Sequence, residues 1–170
     1  MNLRAATHAD IPAITAIYRH YVLHDTATFE EIPPDEAEMR ERFDKITQAG
    51  LPYLVAEEEG RILGYAYMNY FRTRSAYRFT LEDSIYLDAD AVGKGVGSAL
   101  LAQALDEAER WGARQVVAVL GGHNPASIAL HRRFGFEDVG VMKAVGLKFG
   151  EWLDTPILQK ALGPARATHR

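Results

Sequence analysis

The stretch Val92-Gly93-Lys94-Gly95-Val96-Gly97-Ser98 opens into the helical sequence Ala99–Leu105 and restricts the fold more than any other part of the chain. Glycine has no Cβ and adopts backbone conformations closed to other residues, so its N–H groups can converge on one ligand. The first N–H groups of the following helix lack intrahelical partners and lie at the positive end of the helix dipole. The stretch predicts a phosphate-binding turn, with a ligand-free strand-to-helix turn as the alternative.

Two common phosphate-binding motifs do not fit this turn. A P-loop requires Lys and then Ser or Thr after its last glycine, but Lys94 lies between the glycines. A dinucleotide fingerprint that begins at Gly93 has Ser98 in its last place, and one that begins at Gly95 has Leu100 there. The turn therefore belongs to another class of phosphate site.

The composition predicts one globular domain over residues 1–162 and a disordered tail over 163–170, since the 170-residue chain is 48% hydrophobic. A formal net charge of −4 argues against nucleic acid or an anionic membrane as the partner. The absence of cysteine excludes disulfides, thiolate catalysis and zinc–sulfur sites. Because no apolar run reaches the length of a membrane span and no signal-peptide core is present, we expect a soluble cytoplasmic protein.

Hydrophobic periodicity and turn residues predict a mixed α/β fold. Predicted strands cover Asn2–Ala6, Tyr53–Glu58, Arg61–Phe71, Phe79–Leu87, Val116–Leu120, Val139–Leu147 and Thr155–Leu162. Predicted helices follow Thr7-His8-Ala9-Asp10, run from the Pro33-Pro34 pair to Gly50, and cover Gly97–Trp111 and Ser127–Phe134. His20 and His24 have metal-ligand spacing, but no Glu follows His20, so we predict no metal.

Several of these segments resemble the GCN5-related N-acetyltransferase superfamily. The resemblance rests on Asp83–Leu87, on the glycine turn, on Asn124-Pro125-Ala126-Ser127 with His131, and on Gly135-Phe136. It implies a central, mostly antiparallel twisted sheet flanked by helices. Thr80–Tyr86 and Gly146–Asp154 are similar to the phosphinothricin and methionine sulfoximine N-acetyltransferases. Val92 departs from the superfamily pattern, which has Gln or Arg there, and this removes one side-chain contact from a turn that acts mainly through its backbone.

The resemblance implies acetyl-CoA as the cofactor. We expect Gly93, Lys94, Gly95, Val96, Gly97 and Ser98 to wrap its pyrophosphate. Ile85, Tyr86 and Leu87 would offer backbone groups to the pantetheine arm in the manner of an added strand, and the N–H of Leu87 would polarise the thioester. Asn124 and Ser127 would lie beside that arm, although a helix-capping role for Asn124 is the alternative.

Acetyl transfer to an amine requires a base for the amine and a proton for the leaving thiolate. Glu82 is the candidate base, because it lies in an apolar strand where partial burial makes a carboxylate a better proton acceptor, and the family's carboxylate falls here. An ordinary salt bridge from Glu82 to Arg72 or Arg78 is the alternative. His131 stands where many superfamily members carry a proton-donating tyrosine, and a simple packing role is its alternative.

The acceptor is expected to be a small amine. Arg72 and Arg74 flank Thr73 in a basic loop, and a guanidinium binds a carboxylate or phosphinate through two hydrogen bonds. The resemblance adds Asp83 and Ser84 to the substrate contacts, and Phe29 would close the apolar side of the pocket. It favours the α-amino group of an amino acid or analogue, such as methionine sulfoximine, methionine sulfone or phosphinothricin, and a homodimer.

Two other functions stay open on the sequence alone. One is acetylation of a different amine, namely a polyamine, an aminoglycoside or a protein N-terminus, although a cationic substrate favours an acidic pocket and the loop before Glu82 is basic. The other is a sensor domain that binds acyl-CoA without turnover, which the presence of Glu82 disfavours.

Overall fold

The computed structural model describes residues 1–164, which form two compact units. The first unit comprises Met1–Arg19, Pro34–Asn69 and Asp83–Gly112. The second comprises His20–Pro33, Tyr70–Glu82 and the described chain from Ala113 onward. The predicted tail, 163–170, lies almost wholly outside the described residues, so its disorder stays a prediction.

The described residues contain four α-helices and seven strands. The helices are α1 (Ile11–His24), α2 (Glu36–Gln48), α3 (Val96–Trp111) and α4 (Pro125–Arg133). The strands are β1 (Asn2–Ala5), β2 (Tyr53–Glu58), β3 (Arg61–Tyr70), β4 (Thr80–Leu87), β5 (Gln115–Val119), β6 (Glu137–Lys148) and β7 (Glu151–Ala161). They form one sheet in the order β1-β2-β3-β4-β5-β7-β6, which confirms the predicted mixed α/β fold.

The first unit is built on antiparallel pairing of β1 with β2 and of β2 with β3. Its helices begin and end as the sequence predicts. The side chain of Asp35 caps α2 by accepting the N–H of Glu38 at 2.8 Å, and Gly112 ends α3 with a left-handed φ of 109°. The inner face of α3 is buried as predicted, at Leu100, Leu101, Ala104, Leu105 and Ala108.

The second unit contains the parallel pairing of β4 with β5. The β4–β5 ladder runs from Thr80 opposite Gln115 to Glu82 opposite Val117, and β4 continues to Leu87. On its other side β5 pairs antiparallel with β7, so Val116 and Ala118 have no exposed surface, as the continuous apolar run predicted. β7 then pairs antiparallel with β6, whose outer edge ends the sheet.

No helix within residues 1–164 combines the length and the apolar character needed to cross a membrane. The longest, α3, has 16 residues, and its exposed positions are polar.

Candidate active site

The end of β4 is fixed by a close approach of β3. A Cβ added at Gly64 would overlap the side chain of Leu87 and stand 2.9 Å from the carbonyl oxygen of Tyr86. The β2–β3 register shifts beside Gly64, which leaves Leu63 as an extra residue, and the carbonyl of Leu63 accepts the N–H of Asp88 at 2.8 Å. This bulge sets the backbone course of Ile85–Leu87.

The turn between β4 and α3 begins with a charged clamp. One guanidinium nitrogen of Arg61 donates to Asp88 at 2.7 Å and to Asp90 at 3.0 Å. The carboxylate of Asp88 also accepts the N–H of Asp90 at 3.0 Å. These contacts order the short 3₁₀ turn Ala89–Ala91, which delivers the chain to the glycines.

Two glycines of the turn adopt conformations that other residues resist. Gly93 and Gly95 have φ of 78° and 80°, and a Cβ at either position would meet no atom within 4 Å. Gly95 is the residue that begins α3, whereas Val96 and Gly97 are already buried. The glycines therefore lead directly into the amino-terminal N–H groups of a sixteen-residue helix, an arrangement in which backbone N–H groups can bind phosphate.

Glu82 lies half-buried at the end of the β4–β5 ladder, in register with Val117. Alternation along the strand buries Leu81 and Asp83 and leaves Glu82 and Ser84 partly accessible. A carboxylate in this position can accept a proton from a group that reaches the strand.

The basic loop before β4 presents its side chains to solvent. Residues Arg72, Thr73 and Arg74 are exposed, and the guanidinium of Arg72 stacks 4.8 Å from the centre of the Phe71 ring. The loop is closed by the N–H of Phe71, which donates to the carbonyl of Thr80 at 3.1 Å. The exposure of these side chains is also what a solvated basic loop without a ligand would show.

The start of α4 holds the other predicted residues. The amide oxygen of Asn124 accepts the N–H of Ser127 at 3.1 Å, so the capping role is present, and this bond leaves the amide NH₂ group for other partners. His131 is buried, and its Nδ1 donates to the carbonyl of Ser127 at 2.7 Å. Because a carbonyl only accepts, Nδ1 carries the proton, and proton donation from Nε2 requires the imidazolium.

Phe29 lies in the segment between α1 and α2, 37% exposed. Its ring lies so close to Gly146 of β6 that a Cβ there would overlap it. The neighbouring carbonyls of Asp25 and Thr28 accept hydrogen bonds from the buried ammonium of Lys148 at 2.6 and 2.7 Å.

The predicted residues are divided between the two units. Phe29, Arg72–Arg74, Glu82, Asn124, Ser127 and His131 belong to the second unit, and Asp83–Leu87 with Gly93–Ser98 belong to the first. Sequence reasoning missed Gly64, although an isolated glycine inside a strand is a known sign of a bulge or of close backbone approach. It also missed Lys148, for which no local signal exists.

A glycine turn at a helix start can bind the phosphates of a carrier molecule, and a half-buried carboxylate can accept a proton; enzymes that transfer an acyl group from such a carrier need both functions. Comparison with known protein families agrees, since the Acetyltransferase (GNAT) family matches residues 14–136. A phosphinothricin N-acetyltransferase from Alcaligenes faecalis is 52% identical over 98% of this chain and 85% of its own. The chain belongs to the Acetyltransferase (GNAT) family.

Two further relatives support the family assignment. An L-methionine sulfoximine/L-methionine sulfone acetyltransferase from Pseudomonas aeruginosa is 42% identical over 98% of this chain and 97% of its own. The crystal structure of a phosphinothricin acetyltransferase from Sinorhizobium meliloti in complex with AcCoA superposes with a TM-score of 0.96 at 54% identity, over 99% of this chain and 91% of that one. The predicted superfamily and the resemblance to both kinds of acetyltransferase are confirmed.

Proposed function

We propose that this protein transfers the acetyl group of acetyl-CoA to the α-amino group of a small amino acid or analogue of the methionine sulfoximine, methionine sulfone or phosphinothricin type. The observation that carries the proposal is the order of parts along β4 and beyond it. Half-buried Glu82 comes first, then the backbone of Ile85–Leu87, then the glycine turn at the start of α3.

The donor is acetyl-CoA, with which the Sinorhizobium meliloti relative was solved, and it supplies acetyl as a thioester. Gly93–Ser98 hold its diphosphate through backbone N–H groups and the dipole of α3. Ile85–Leu87 hold the pantetheine arm along β4 beyond the β4–β5 ladder, and Asn124 and Ser127 contribute polar groups to the same arm.

Glu82 removes the proton that the amine must lose as its nitrogen attacks the acetyl carbon, directly or through one water. The C–N bond forms, the C–S bond breaks, and the thiolate of CoA leaves with a proton. His131 in its imidazolium form is the proposed donor of that proton through Nε2, because Nδ1 is committed to the carbonyl of Ser127.

The acceptor is held by its anionic group at Arg72 and Arg74, with Thr73, Asp83 and Ser84 as further polar contacts and Phe29 as the apolar wall. A guanidinium matches a carboxylate or phosphinate with two parallel hydrogen bonds, whereas a polyamine or aminoglycoside would face like charge in this loop. The names of the relatives point to the same class of acceptor.

The test is a panel of acceptors incubated with acetyl-CoA. Because the chain has no cysteine, the thiol of released CoA is the only thiol in the assay. Phosphinothricin, methionine sulfoximine and methionine sulfone should release CoA well above the rate without acceptor, and spermidine, an aminoglycoside and an N-terminal peptide should not. Release only with cationic amines would support the alternative acceptors, and binding without release under any condition would support the sensor function.

We also propose that the enzyme works in the cytoplasm as a homodimer that pairs through β6. This strand ends the sheet, and it exposes Val139, Val141, Val145 and Leu147 at 48–59% of their surface. An apolar edge strand can pair with a strand of a second chain. In a symmetric homodimer, β6 of each copy would cover β6 of the other.

A further inference from the structure

Lys148 is a buried cation outside the set of residues considered so far. Its side chain is 1% exposed, and its Nζ lies 2.6 Å from the carbonyl of Asp25, 2.7 Å from that of Thr28 and 3.4 Å from that of Tyr21. An ammonium group has three hydrogens, so three carbonyls satisfy it. Burial lowers the pKa of Lys148 because the charge is removed from water, and the nearby carboxylate of Asp25 opposes that shift.

Three glycines form a bed on which the same segment lies. A Cβ at Gly121 would overlap the carbonyl oxygen of Thr26, one at Gly122 would overlap its side chain, and one at Gly146 would overlap the ring of Phe29. Backbone therefore packs directly against residues 25–29, which we call the acceptor loop. Within the loop, Asp25 accepts the N–H of Ala27 at 2.7 Å and Thr28 accepts that of Glu30 at 3.2 Å.

The glycine bed supplies contact, whereas Lys148 bonds to the backbone of the loop through a charged group. Hydrogen bonds to charged groups are the stronger kind, and a buried carbonyl that loses its donor is costly. Without the ammonium, the acceptor loop would still contact the glycine bed. The orientation of the Phe29 ring on that bed would no longer be fixed. The exposed part of that ring is the surface an acceptor would touch.

We propose that Lys148 is a positioning residue for acceptor selection: through the carbonyls of Asp25 and Thr28 it holds the acceptor loop so that Phe29 forms a rigid wall. The consequence for catalysis rests on the proposed function, whereas the loop-holding role does not. Lys148 touches no reacting atom, so its loss should raise KM for the acceptor far more than it lowers kcat.

The first experiment follows hydrogen exchange of residues 25–30 in the full chain, without any ligand. Lys148→Met removes the charge and keeps the volume, and Lys143→Met is the matched control on the same strand, where the lysine is exposed and paired with Asp154 at 3.1 Å. The N–H groups of Ala27 and Glu30 should exchange at least about tenfold faster in Lys148→Met and unchanged in the control. Unchanged exchange in Lys148→Met would overturn the proposal, whatever reaction the protein catalyses.

The second experiment is a double-mutant cycle with Phe29→Ala, read as KM for the best acceptor of the panel. Lys148→Met alone should raise that KM about tenfold with kcat changed less than about twofold, but should add little in the Phe29→Ala background. Additive effects would show that Lys148 does not act through Phe29 and would overturn the proposal. If no acceptor is found, the proposed function fails and the exchange experiment still decides the loop-holding role.

If Lys148→Met does not fold, Lys148→Gln replaces it, because glutamine keeps two N–H donors on a shorter side chain. It should give the same pattern of exchange and KM in weaker form, and unchanged exchange with unchanged KM would overturn the proposal.

Discussion

At the scale of single residues, Glu82 combines partial burial with a place on the strand that precedes the glycine turn. We predict that Glu82→Gln lowers kcat by about 100-fold or more and leaves the Kd of acetyl-CoA within about twofold, because only proton transfer is removed. Steady-state kinetics and isothermal titration with acetyl-CoA measure the two quantities.

The control for this substitution is Glu151→Gln, which changes an exposed carboxylate at the start of β7. It should leave kcat unaltered. A Glu82→Gln enzyme with full kcat would rule out Glu82 as the base.

The sequence identified residues whose role follows from local pattern, and it missed those whose role depends on distant packing. The helix-capping role, which is the alternative for Asn124, is such a local role, and the capping bond from the N–H of Ser127 is present. Lys148 escaped notice because lysine is almost never fully buried, and the three carbonyls that satisfy it are more than 100 positions earlier in the chain. No periodicity can reveal such a contact.

At the scale of elements, the glycine turn before α3 allows the conformational role of a glycine to be tested separately from its role in binding. Gly95 and Gly60 have nearly the same φ, 80° and 79°, and neither would bring a Cβ within 4 Å of another atom. We predict that Gly95→Ala and Gly60→Ala each lower the free energy of unfolding by about 1 kcal/mol. Only Gly95→Ala should raise the Kd of acetyl-CoA, by about tenfold or more. Thermal unfolding and titration measure the pair.

Equal affinity in these two alanine variants would mean that the diphosphate lies elsewhere. Gly60 is a suitable comparison because it occupies the β2–β3 hairpin turn, in the same compact unit.

The segment before α1 contains an ion pair between Arg4 and Asp10 that makes the free energy of unfolding depend on pH. Arg4 donates to both oxygens of Asp10 at 2.8 Å, and these bonds lower the pKa of Asp10 below its ordinary value. The resulting stability is complete above the unfolded pKa, about 4, and is lost as the pH falls through the folded value. We predict that Asp10→Asn costs about 1.5–3 kcal/mol at pH 7 and progressively less below pH ~4.

Urea unfolding from pH 3 to pH 7 measures this loss. The comparison is Asp138→Asn, which breaks an exposed Arg132–Asp138 pair of similar geometry and should cost clearly less than Asp10→Asn because solvent screens the exposed charges. An equal cost at both sites would show that burial of Asp10 adds nothing.

The positions of the elements followed well from the sequence, but the lengths of the last two strands did not. The hairpin of β2 with β3 and the helices α2 and α3 were predicted to within a few residues, since glycines and caps mark their ends. β6 and β7 are longer than predicted and meet at Phe149-Gly150, both with positive φ. The predicted gap between them, from Lys148 to Asp154, mixes charged and exposed aromatic residues that give no alternation.

At the scale of the whole molecule, the exposed apolar edge of β6 predicts self-association. Val141→Lys should convert the proposed dimer to a monomer in sedimentation equilibrium, because a charge on an apolar edge strand opposes pairing. Ile32→Lys, at a side chain 84% exposed outside any strand, should leave the assembly unchanged. A Val141→Lys protein with the same mass in solution as the original would contradict pairing through β6.

The glycine bed beneath the acceptor loop has a consequence for how this enzyme could acquire new substrates. A single methyl group at Gly121, Gly122 or Gly146 would overlap the acceptor loop. Even the smallest substitution at these positions, glycine to alanine, is therefore expected to be unfavourable. The basic loop at Arg72–Arg74 is exposed and bears no such restriction. Divergence toward other acceptors, in nature or by directed evolution, should therefore accumulate in that loop, while the bed stays glycine.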